Sequence, residues 1–541
     1  VNQKYRNART REQNTEKRYR EVEYERENQV IRVSYPRTYT HNLKTEDIEV
    51  RVLNQEGQEV PVEFEIISEN RVKIIPEEDI RGAHVIVTGR RELGESPITF
   101  ILENSVRLLT GLKNVNVTYS ISEGSSLPGY KPETSILGMN NFNGMQAPGW
   151  AYILGQQSDD FAENAFYNGW LSKDSLINNP YLMNHTEKFN IRASFEPFNG
   201  LRVDLTANHN KADNFSEFYT ANSQGELPHD SLRGAIETGN FSMSFLSWKT
   251  AFERIYTKEL DFESEAFDKL KYEYRQIISE RLAREYMAEN NVSLQDSAGF
   301  YEGFGPTSQQ VLISAFMAAY GQKDPRSVTL KTFPSILKIM PNWRVTFDGL
   351  GRIEFVKRFL NSLTISHAYR SSYNIGSYFS NPITDRGYLD IQGNLIPDFD
   401  VSVVTINEQF SPLFDVNMDW KNSLTSRIEF KRSRTLALNT TNSQINEVNS
   451  KEFVVGAGYR FNDVQIIINQ NEFRSDLNVR ADLSIRDNRT VIRKLTEDSD
   501  QITAGQRIVT IKTTLDDVLS DRFNLRLFFD QRVNKPFVSL S

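Results

Sequence analysis

The sequence contains no cysteine among its 541 residues, and this absence removes several functions at once. A disulfide framework, a cysteine-ligated zinc site, an iron–sulfur cluster and a thiol nucleophile all need this residue. Motifs with a defined chemistry are also missing, since the sequence has no H-E-x-x-H, P-loop, G-x-S-x-G or EF-hand loop. The sequence therefore argues against the commonest metal, nucleotide and hydrolase sites.

Histidine is scarce, and no histidine has a partner at metal-ligand spacing. The six histidines are His41, His84, His185, His209, His229 and His367. The adjacent carboxylates Asp159-Asp160 and Asp516-Asp517 would point to opposite faces of a strand, which argues against a catalytic dyad. We predict that the protein is not an enzyme and that it has no catalytic residues, metal or cofactor.

Positive charge is not in excess, and no apolar run is long enough for a transmembrane helix. Lys and Arg number 63 against 71 Asp and Glu, so the formal net charge is −8. Because phosphate binding needs a basic surface, we predict no nucleic-acid partner. The mean hydropathy is −0.51, yet 11% of the residues are aromatic. Abundant aromatics in a hydrophilic chain are typical of membrane barrel strands, in which every second residue is polar.

The two ends of the sequence indicate a piece of a longer protein. The chain begins at Val1 without an apolar stretch that could act as a signal peptide, and the strand-like run from Pro536 stops at Ser541. We expect a fragment or a mature piece, in which the missing targeting signal says nothing about destination.

Charge and hydrophobic patterns predict three regions. Residues 1–30 are nearly all polar and are predicted to be a charged arm or linker. Residues 31–98 contain short alternating runs with closely spaced turn signals, which predict a small soluble β module. Residues 99–541 contain long alternating runs, about a dozen strands by period-two counting, and are predicted to form a barrel wall.

The run from Leu477 to Arg486 shows the pattern behind the strand prediction. Its apolar residues alternate with Asn, Arg, Asp and Ser, so one face is apolar and the other is polar. Aromatic pairs six residues apart, such as Phe189/Phe195, span about 20 Å of strand and would lie near both edges of a bilayer. We predict an all-β fold: part of a very large antiparallel transmembrane β-barrel, with a small N-terminal β module and a helical insertion. The residues predicted to face the lumen are Arg480, Asp482, Arg526 and Asp530.

Two segments interrupt the alternation. Residues 123–183 are rich in Gly, Asn and Pro, and predict a long irregular loop that folds inward as a gate or docks a partner. Residues 256–330 have helical periodicity and predict a helical insertion on the water side, because the apolar run from Val311 to Tyr320 is too short to span a bilayer. The candidate gate or partner residues are Leu127, Pro128, Gly129, Tyr130, Pro148, Gly149, Trp150 and Tyr152.

A polar face opposite an apolar face also occurs in soluble antiparallel sheets, so the pattern leaves other interpretations open. One alternative is a soluble or surface-exposed β-sandwich that binds protein or glycan. Another is a nutrient-transporter barrel, although residues 31–98 are a poor match for the plug domain of that class.

Several stretches, in the same order along the chain, resemble the SprA/Sov cell-surface protein family. The resemblance covers about Asn104 to Ser541, and the helical insertion and residues 1–98 match less clearly. The stretches are Asn104–Tyr119 followed by Leu127-Pro-Gly-Tyr130; Leu363–Tyr378 with His367-Ala-Tyr-Arg-Ser-Ser-Tyr-Asn374; Phe410-Ser-Pro-Leu413; Leu424–Asn439 with Glu429-Phe-Lys-Arg-Ser-Arg434; Gly456-Ala-Gly-Tyr-Arg460; and Leu477–Asn488 with Arg486-Asp-Asn488.

The resemblance implies that the parent protein is the outer-membrane translocon of the type IX protein secretion system of Bacteroidota. This chain would be its C-terminal portion and would supply part of a wide barrel that exports folded proteins and supports gliding motility. The implied location is the bacterial outer membrane, at the cell surface. The implied partners are secreted cargo proteins, outer-membrane lipid, a shuttle barrel of the PorV type and a periplasmic plug protein.

Overall fold

The computed structural model describes residues 19–92, 111–174, 176–253, 256–258, 261–382, 387–468, 471–497, 500–520 and 523–536. The chain divides into two compact units, Val1–Arg107 and Leu108–Ser541. Both units are built mainly from antiparallel strands. Within the described ranges, every helix is too short or too polar to span a bilayer.

The first unit contains a four-stranded sheet, ordered β1-β7-β3-β4, and a three-stranded sheet, ordered β2-β6-β5. Alternate residues of both sheets, among them Val52, Val72 and Val85, are fully buried in one shared core. The strands are β1 (Tyr19–Ile31), β2 (Arg37–Thr40), β3 (Ile48–Leu53), β4 (Glu59–Val60), β5 (Val62–Ser68), β6 (Arg71–Pro76) and β7 (Ile80–Glu92).

Strand β1 corrects the prediction of a charged arm for the residues from Tyr19 onward. It pairs with β7 along its length, and the partly buried Val22 and Tyr24 pack against the shared core. Because so few apolar residues lie on its inner face, the strand has little hydrophobic signal and its glutamates dominate the sequence. Residues 1–18 of the predicted arm, and the predicted boundary between residues 98 and 99, lie outside the described residues.

A thirteen-stranded antiparallel sheet forms the second unit. Its order is β26-β25-β24-β23-β22-β21-β19-β13-β12-β11-β8, while β18 pairs with β12 and β19, and β20 pairs with β19. The strands are β8 (Leu112–Ser126), β11 (Tyr181–Phe198), β12 (Leu201–Glu217), β13 (Ile236–Ser244), β18 (Asn342–Phe347), β19 (Leu360–Ser380), β20 (Phe399–Asp400), β21 (Val403–Trp420), β22 (Leu424–Asn439), β23 (Gln444–Ile468), β24 (Asn471–Lys494), β25 (Asp500–Ser520) and β26 (Phe523–Pro536).

This sheet confirms the predicted mainly-β fold with long antiparallel strands. Nearly all its strands pair with their neighbours along the chain, which is the arrangement that short hairpin connections produce. In the part of the chain that the structure describes, β8 and β26 do not pair with each other, so the sheet has two edges there.

Direct cross-strand pairing fixes two faces of the sheet, because paired residues point to the same side. A row of partners runs from Phe189 on β11 through Tyr373 on β19 and Leu436 on β22. Residues an even number of positions apart on one strand point to the same side, a rule that we call strand parity, and it extends the row to Ala481 on β24. We call this side the apolar face. The opposite side, which contains Asp482, is the polar face.

The connection between β8 and β11 folds into a small unit of its own, which corrects the predicted irregular loop over residues 123–183. Strand β8 continues to Ser126, and β11 begins at Tyr181. Buried Phe166 and Trp170 form a core with Tyr181, so the aromatic residues of this glycine-rich segment give it a fixed structure. We call residues 127–180 the first insertion. Its elements are a 3-10 helix (Ile136–Gly138), β9 (Asn140–Phe142), β10 (Met145–Ala147), α1 (Trp150–Ile153) and α2 (Phe161–Tyr167).

The second interruption, residues 245–341 between β13 and β18, contains the two longest helices of the described residues. Its elements are β14 (Tyr256–Lys258), β15 (Asp261–Glu263), α3 (Glu265–Asp268), a π-helical turn (Lys269–Tyr274), α4 (Arg275–Asn290), β16 (Asp296–Ser297), β17 (Phe300–Tyr301), α5 (Gln309–Tyr320) and a 3-10 helix (Ile336–Lys338). Outside it lie the 3-10 helices Asp230–Leu232 and Gly349–Arg352, and α6 (Glu354–Lys357). We call residues 245–341 the helical insertion.

The helical insertion packs on one end of the apolar face. Every residue of α5 from Val311 to Tyr320 is buried, in a core that includes Tyr373 and Leu436 of the sheet. A helix that is apolar on all sides is stable only where it is covered on all sides. The sheet supplies part of that cover, and this end of the apolar face is in turn protected by the helices.

Candidate functional site

An exposed apolar band crosses the sheet beyond the two insertions. Its side chains lie on the apolar face and are exposed or half-buried, with Val117 at 56% and Phe529 at 58% exposure near the two edges. We call this set the apolar band. Its members are Val115, Val117, Tyr119, Phe189, Ile191, Phe195, Val203, Leu205, Val345, Phe347, Leu363, Ile365, Phe414, Val416, Met418, Ile428, Phe430, Phe453, Val455, Tyr459, Leu477, Val479, Leu483, Ile485, Ile511, Leu515, Leu527 and Phe529.

The height of the band follows from strand geometry. On β24 it extends from Leu477 to Ile485, and eight residue steps correspond to about 26 Å along the strand. A strand tilt of about 40° reduces this to about 20 Å, close to the apolar band of about 25 Å on outer-membrane barrels. Aromatic pairs lie within it, including Phe414 stacked on Phe430 with ring centroids 5.8 Å apart.

The polar face opposite the band contains all four residues predicted to face a lumen. Arg480 donates to Asp482 from the same strand at 2.8 Å. Arg526 binds Asp516 of β25 across the strand pair, and Asp530 lies 3.7 Å from the Lys512 ammonium. Arg526 and Asp530 are four residues apart on β26, and this even spacing predicts that they are neighbours on one face; the structure instead gives both residues cross-strand partners. Their orientation toward a lumen stays a prediction.

The first insertion brings part of the predicted gate residues together. Tyr152 stacks on Phe161 with centroids 4.4 Å apart, and its hydroxyl donates to the Ser125 carbonyl at 3.4 Å. Tyr130 packs against the same core, and burial raises the pKa of both hydroxyls. Trp150 is 48% exposed and lies outside that core.

Leu127, Pro128 and Gly129 line a small cavity beside Tyr181. Pro148 and Gly149 instead lead into the N-terminus of α1.

The first insertion covers the apolar face. Its core includes Met183 and Phe215, which are cross-strand partners on the same side of the sheet as Phe189. The first insertion therefore lies on the side of the sheet opposite the polar face, and its roles as a gate or a partner dock stay predictions.

Gly129 provides a test of how firmly this insertion is held. Its φ of +70° suits glycine, and a Cβ there would meet the Ile177 Cδ1 atom at 3.1 Å. We expect Gly129→Ala to destabilise the insertion by about 1–2 kcal/mol, measured as faster amide hydrogen exchange over residues 127–180. Gly124→Ala is the control, because Gly124 at the end of β8 lies next to the insertion, has no positive φ and has open space around it. Equal exchange across the insertion in both variants would contradict this account.

Sequence reasoning missed a group of buried charges beneath the helical insertion. Arg434 lies 2.9 Å from Glu408, and Arg493 lies 2.9 Å from Glu447; these side chains are at most 6% exposed. The basic run around Arg434 predicts a solvated strand end, because the residues that bury it lie far away in the sequence. Arg434 donates to the Thr250 carbonyl of the helical insertion at 2.9 Å, which joins the insertion to the sheet.

Within the helical insertion, Glu253 accepts hydrogen bonds from the Ser264 hydroxyl and the Ala266 amide, both at 3.0 Å. Burial raises the pKa of this carboxyl nonetheless. It lies beside Lys269 and Lys323 in a cavity of about 250 Å³. In the part of the chain that the structure describes, no cluster of three or more histidines and carboxylates is arranged to hold a metal ion.

The candidate site thus consists of a tall apolar band, a charged polar face and two folded insertions at one end of the sheet. No protein-family model matches the chain, and no curated protein matches it.

Proposed function

We propose that the chain is a wall segment of a large β-barrel in the bacterial outer membrane. The observation behind this proposal is the apolar band, which crosses the sheet from β8 to β26. Eleven strands at about 4.8 Å spacing, with the height of about 20 Å found on β24, give at most roughly 1,000 Å² of apolar face. Soluble monomers rarely expose contiguous apolar patches above a few hundred Å², whereas lipid covers such a band without cost.

The resemblance to the SprA/Sov family supports a more specific proposal. The barrel would be part of the outer-membrane translocon of the type IX secretion system, which exports folded proteins and supports gliding motility. Barrel diameter grows with strand number, so a passage for folded cargo needs a very large sheet, of which this chain would supply one part. The two insertions on the apolar side would contact membrane-embedded partners, such as a shuttle barrel of the PorV type, while a periplasmic plug protein would prevent leakage.

The alternative of a soluble or surface-exposed β-sandwich would need a second layer over the apolar band. In the described residues, the insertions cover only one end of that face. In the membrane proposal, lipid covers the rest of the band, and no second protein layer is needed.

Adjacent residues on β25 provide the test of the proposed function. Ile511 lies in the apolar band and Lys512 on the polar face, and both are exposed. We expect a fluorophore on Ile511→Cys, in the full chain reconstituted in liposomes, to be quenched by lipid-bound nitroxide, because strand parity directs it toward the acyl chains. Lys512→Cys is the matched control and should be quenched only by a water-soluble agent. Equal access of the water-soluble agent to both positions would contradict the membrane proposal. The cysteine-free background means that each variant has a single label site.

A further inference from the structure

The polar face is not uniform in charge. On β24 to β26 the cations Arg480, Lys512 and Arg526 each have a carboxylate within 4.0 Å, whereas Arg532 bonds to the Asn534 side chain instead. On β11, β18 and β19 four exposed cations of the polar face have no ion pair within that distance among the described residues. These four, which we call the basic patch, are Lys188, Arg192, Arg344 and Arg370.

Strand register places the basic patch in one compact area. Arg192 lies opposite Thr206 of β12, which lies opposite Asn342 of β18, and Arg370 follows on β19. Three strand spacings put Arg192 and Arg370 about 14 Å apart, with Arg344 between them in the neighbouring row.

Lys188 is four residues from Arg192 along β11, or about 13 Å. The four cations therefore occupy an area of about 14 by 20 Å, as the strand spacing and rise imply.

One carboxylate lies inside this area, and it is already engaged. Asp204 faces Arg344 across the strand pair but accepts hydrogen bonds from Arg202 at 3.0 and 3.1 Å and from the Ser194 hydroxyl. Because Arg202 neutralises Asp204, the area around the four patch cations keeps a net positive charge. Uncharged amides surround them, among them Asn190 and Asn208.

We propose that the basic patch docks an acidic, extended stretch of a translocated polypeptide. The inference rests on the proposed function, in which the polar face lines the passage. By strand geometry, the Cα atoms of neighbouring cations in the basic patch are about 8–13 Å apart. An extended peptide places carboxylates of residues i and i+4 about 13 Å apart, which matches this spacing.

A nucleic acid fits the patch less well than an acidic peptide. Single strands bind by stacking bases on aromatic side chains. The aromatic residues of β11 and β18 all lie on the apolar face, away from the patch; they are Tyr181, Phe189, Phe195, Phe198, Trp343 and Phe347.

The test measures binding of fluorescein-labelled octa-glutamate to the full chain in detergent micelles by fluorescence anisotropy, with octa-glutamine as the neutral probe. We expect the triple variant Arg192→Gln/Arg344→Gln/Arg370→Gln to weaken octa-glutamate binding by at least about tenfold at low salt, with a smaller salt dependence. The control is Arg480→Gln/Lys512→Gln/Arg526→Gln, which removes the same charge from the ion-paired part of the polar face. It should change binding by less than about twofold, because these cations are already neutralised.

Several outcomes would overturn the proposal. They are equal weakening by both triple variants, no binding by the unsubstituted chain, displacement of the peptide by inorganic phosphate at equal concentration, and tighter binding of oligothymidylate than of octa-glutamate. None of them bears on the lipid-quenching result at Ile511 and Lys512, so failure of the docking proposal and failure of the membrane proposal are distinguishable.

Discussion

Arg434→Met is expected to destabilise the attachment of the helical insertion by about 3–5 kcal/mol, because it leaves Glu408 as an unpaired buried charge. Glu408 accepts hydrogen bonds from Ser247 at 2.8 Å and Tyr369 at 3.0 Å, and its other oxygen faces Arg434 at 2.9 Å. The substitution also removes the bonds from Arg434 to Thr250 of the insertion. Native-state hydrogen exchange of α5, in the full chain in detergent, should show the loss as faster opening.

Two further variants make this prediction specific. Glu408→Gln combined with Arg434→Met should recover a large part of the stability, because a neutral amide can keep the bonds to Ser247 and Tyr369 without a stranded charge. Arg432→Met is the control, since Arg432 lies over the Phe252 ring at 5.1 Å and no ion pair within 4.0 Å is found for it among the described residues. A double variant that opens as readily as Arg434→Met alone would contradict the buried-charge explanation.

The alternating pattern predicted the strands of the large sheet but not what covers them. Tyr373, Leu436 and Val455 all occupy apolar positions of the alternating pattern. From the pattern alone, all three are predicted to face lipid. In the structure, the helical insertion covers Tyr373 and Leu436 and leaves Val455 exposed. Strand parity depends only on neighbouring residues, whereas this cover comes from a helix far away along the chain.

The candidate site shows the same division between local and distant information. Parity placed Arg480 and Asp482 together correctly, because they are two residues apart on one strand. The partner of Arg526 depends on the register between β25 and β26, which period-two counting does not supply. The folded first insertion was missed for a similar reason: its glycines and prolines dominate the local pattern, while its core depends on Tyr181 of the following strand.

A single strand can decide whether the sheet has a lipid face. Ala481 lies on the apolar face between Ala457 and Thr513, whereas Asp482 lies on the polar face between Gly456 and Lys512. In the full-length protein we expect Ala481→Arg to lower the amount of assembled protein in the outer membrane, because an arginine facing lipid at mid-membrane costs about 2–4 kcal/mol.

Asp482→Arg is the matched comparison, with the same new side chain one residue away. It removes the partner of Arg480 and places three cations together, but in a wet environment such a change costs about 1 kcal/mol or less. Asp482→Arg should therefore assemble and alter conductance or cargo export, scored separately from assembly. Equal tolerance at both positions would mean that this strand has no lipid face. Water access of a label on Ala481→Cys would then favour the soluble sandwich, and protection of that label would indicate that another part of the protein covers the band.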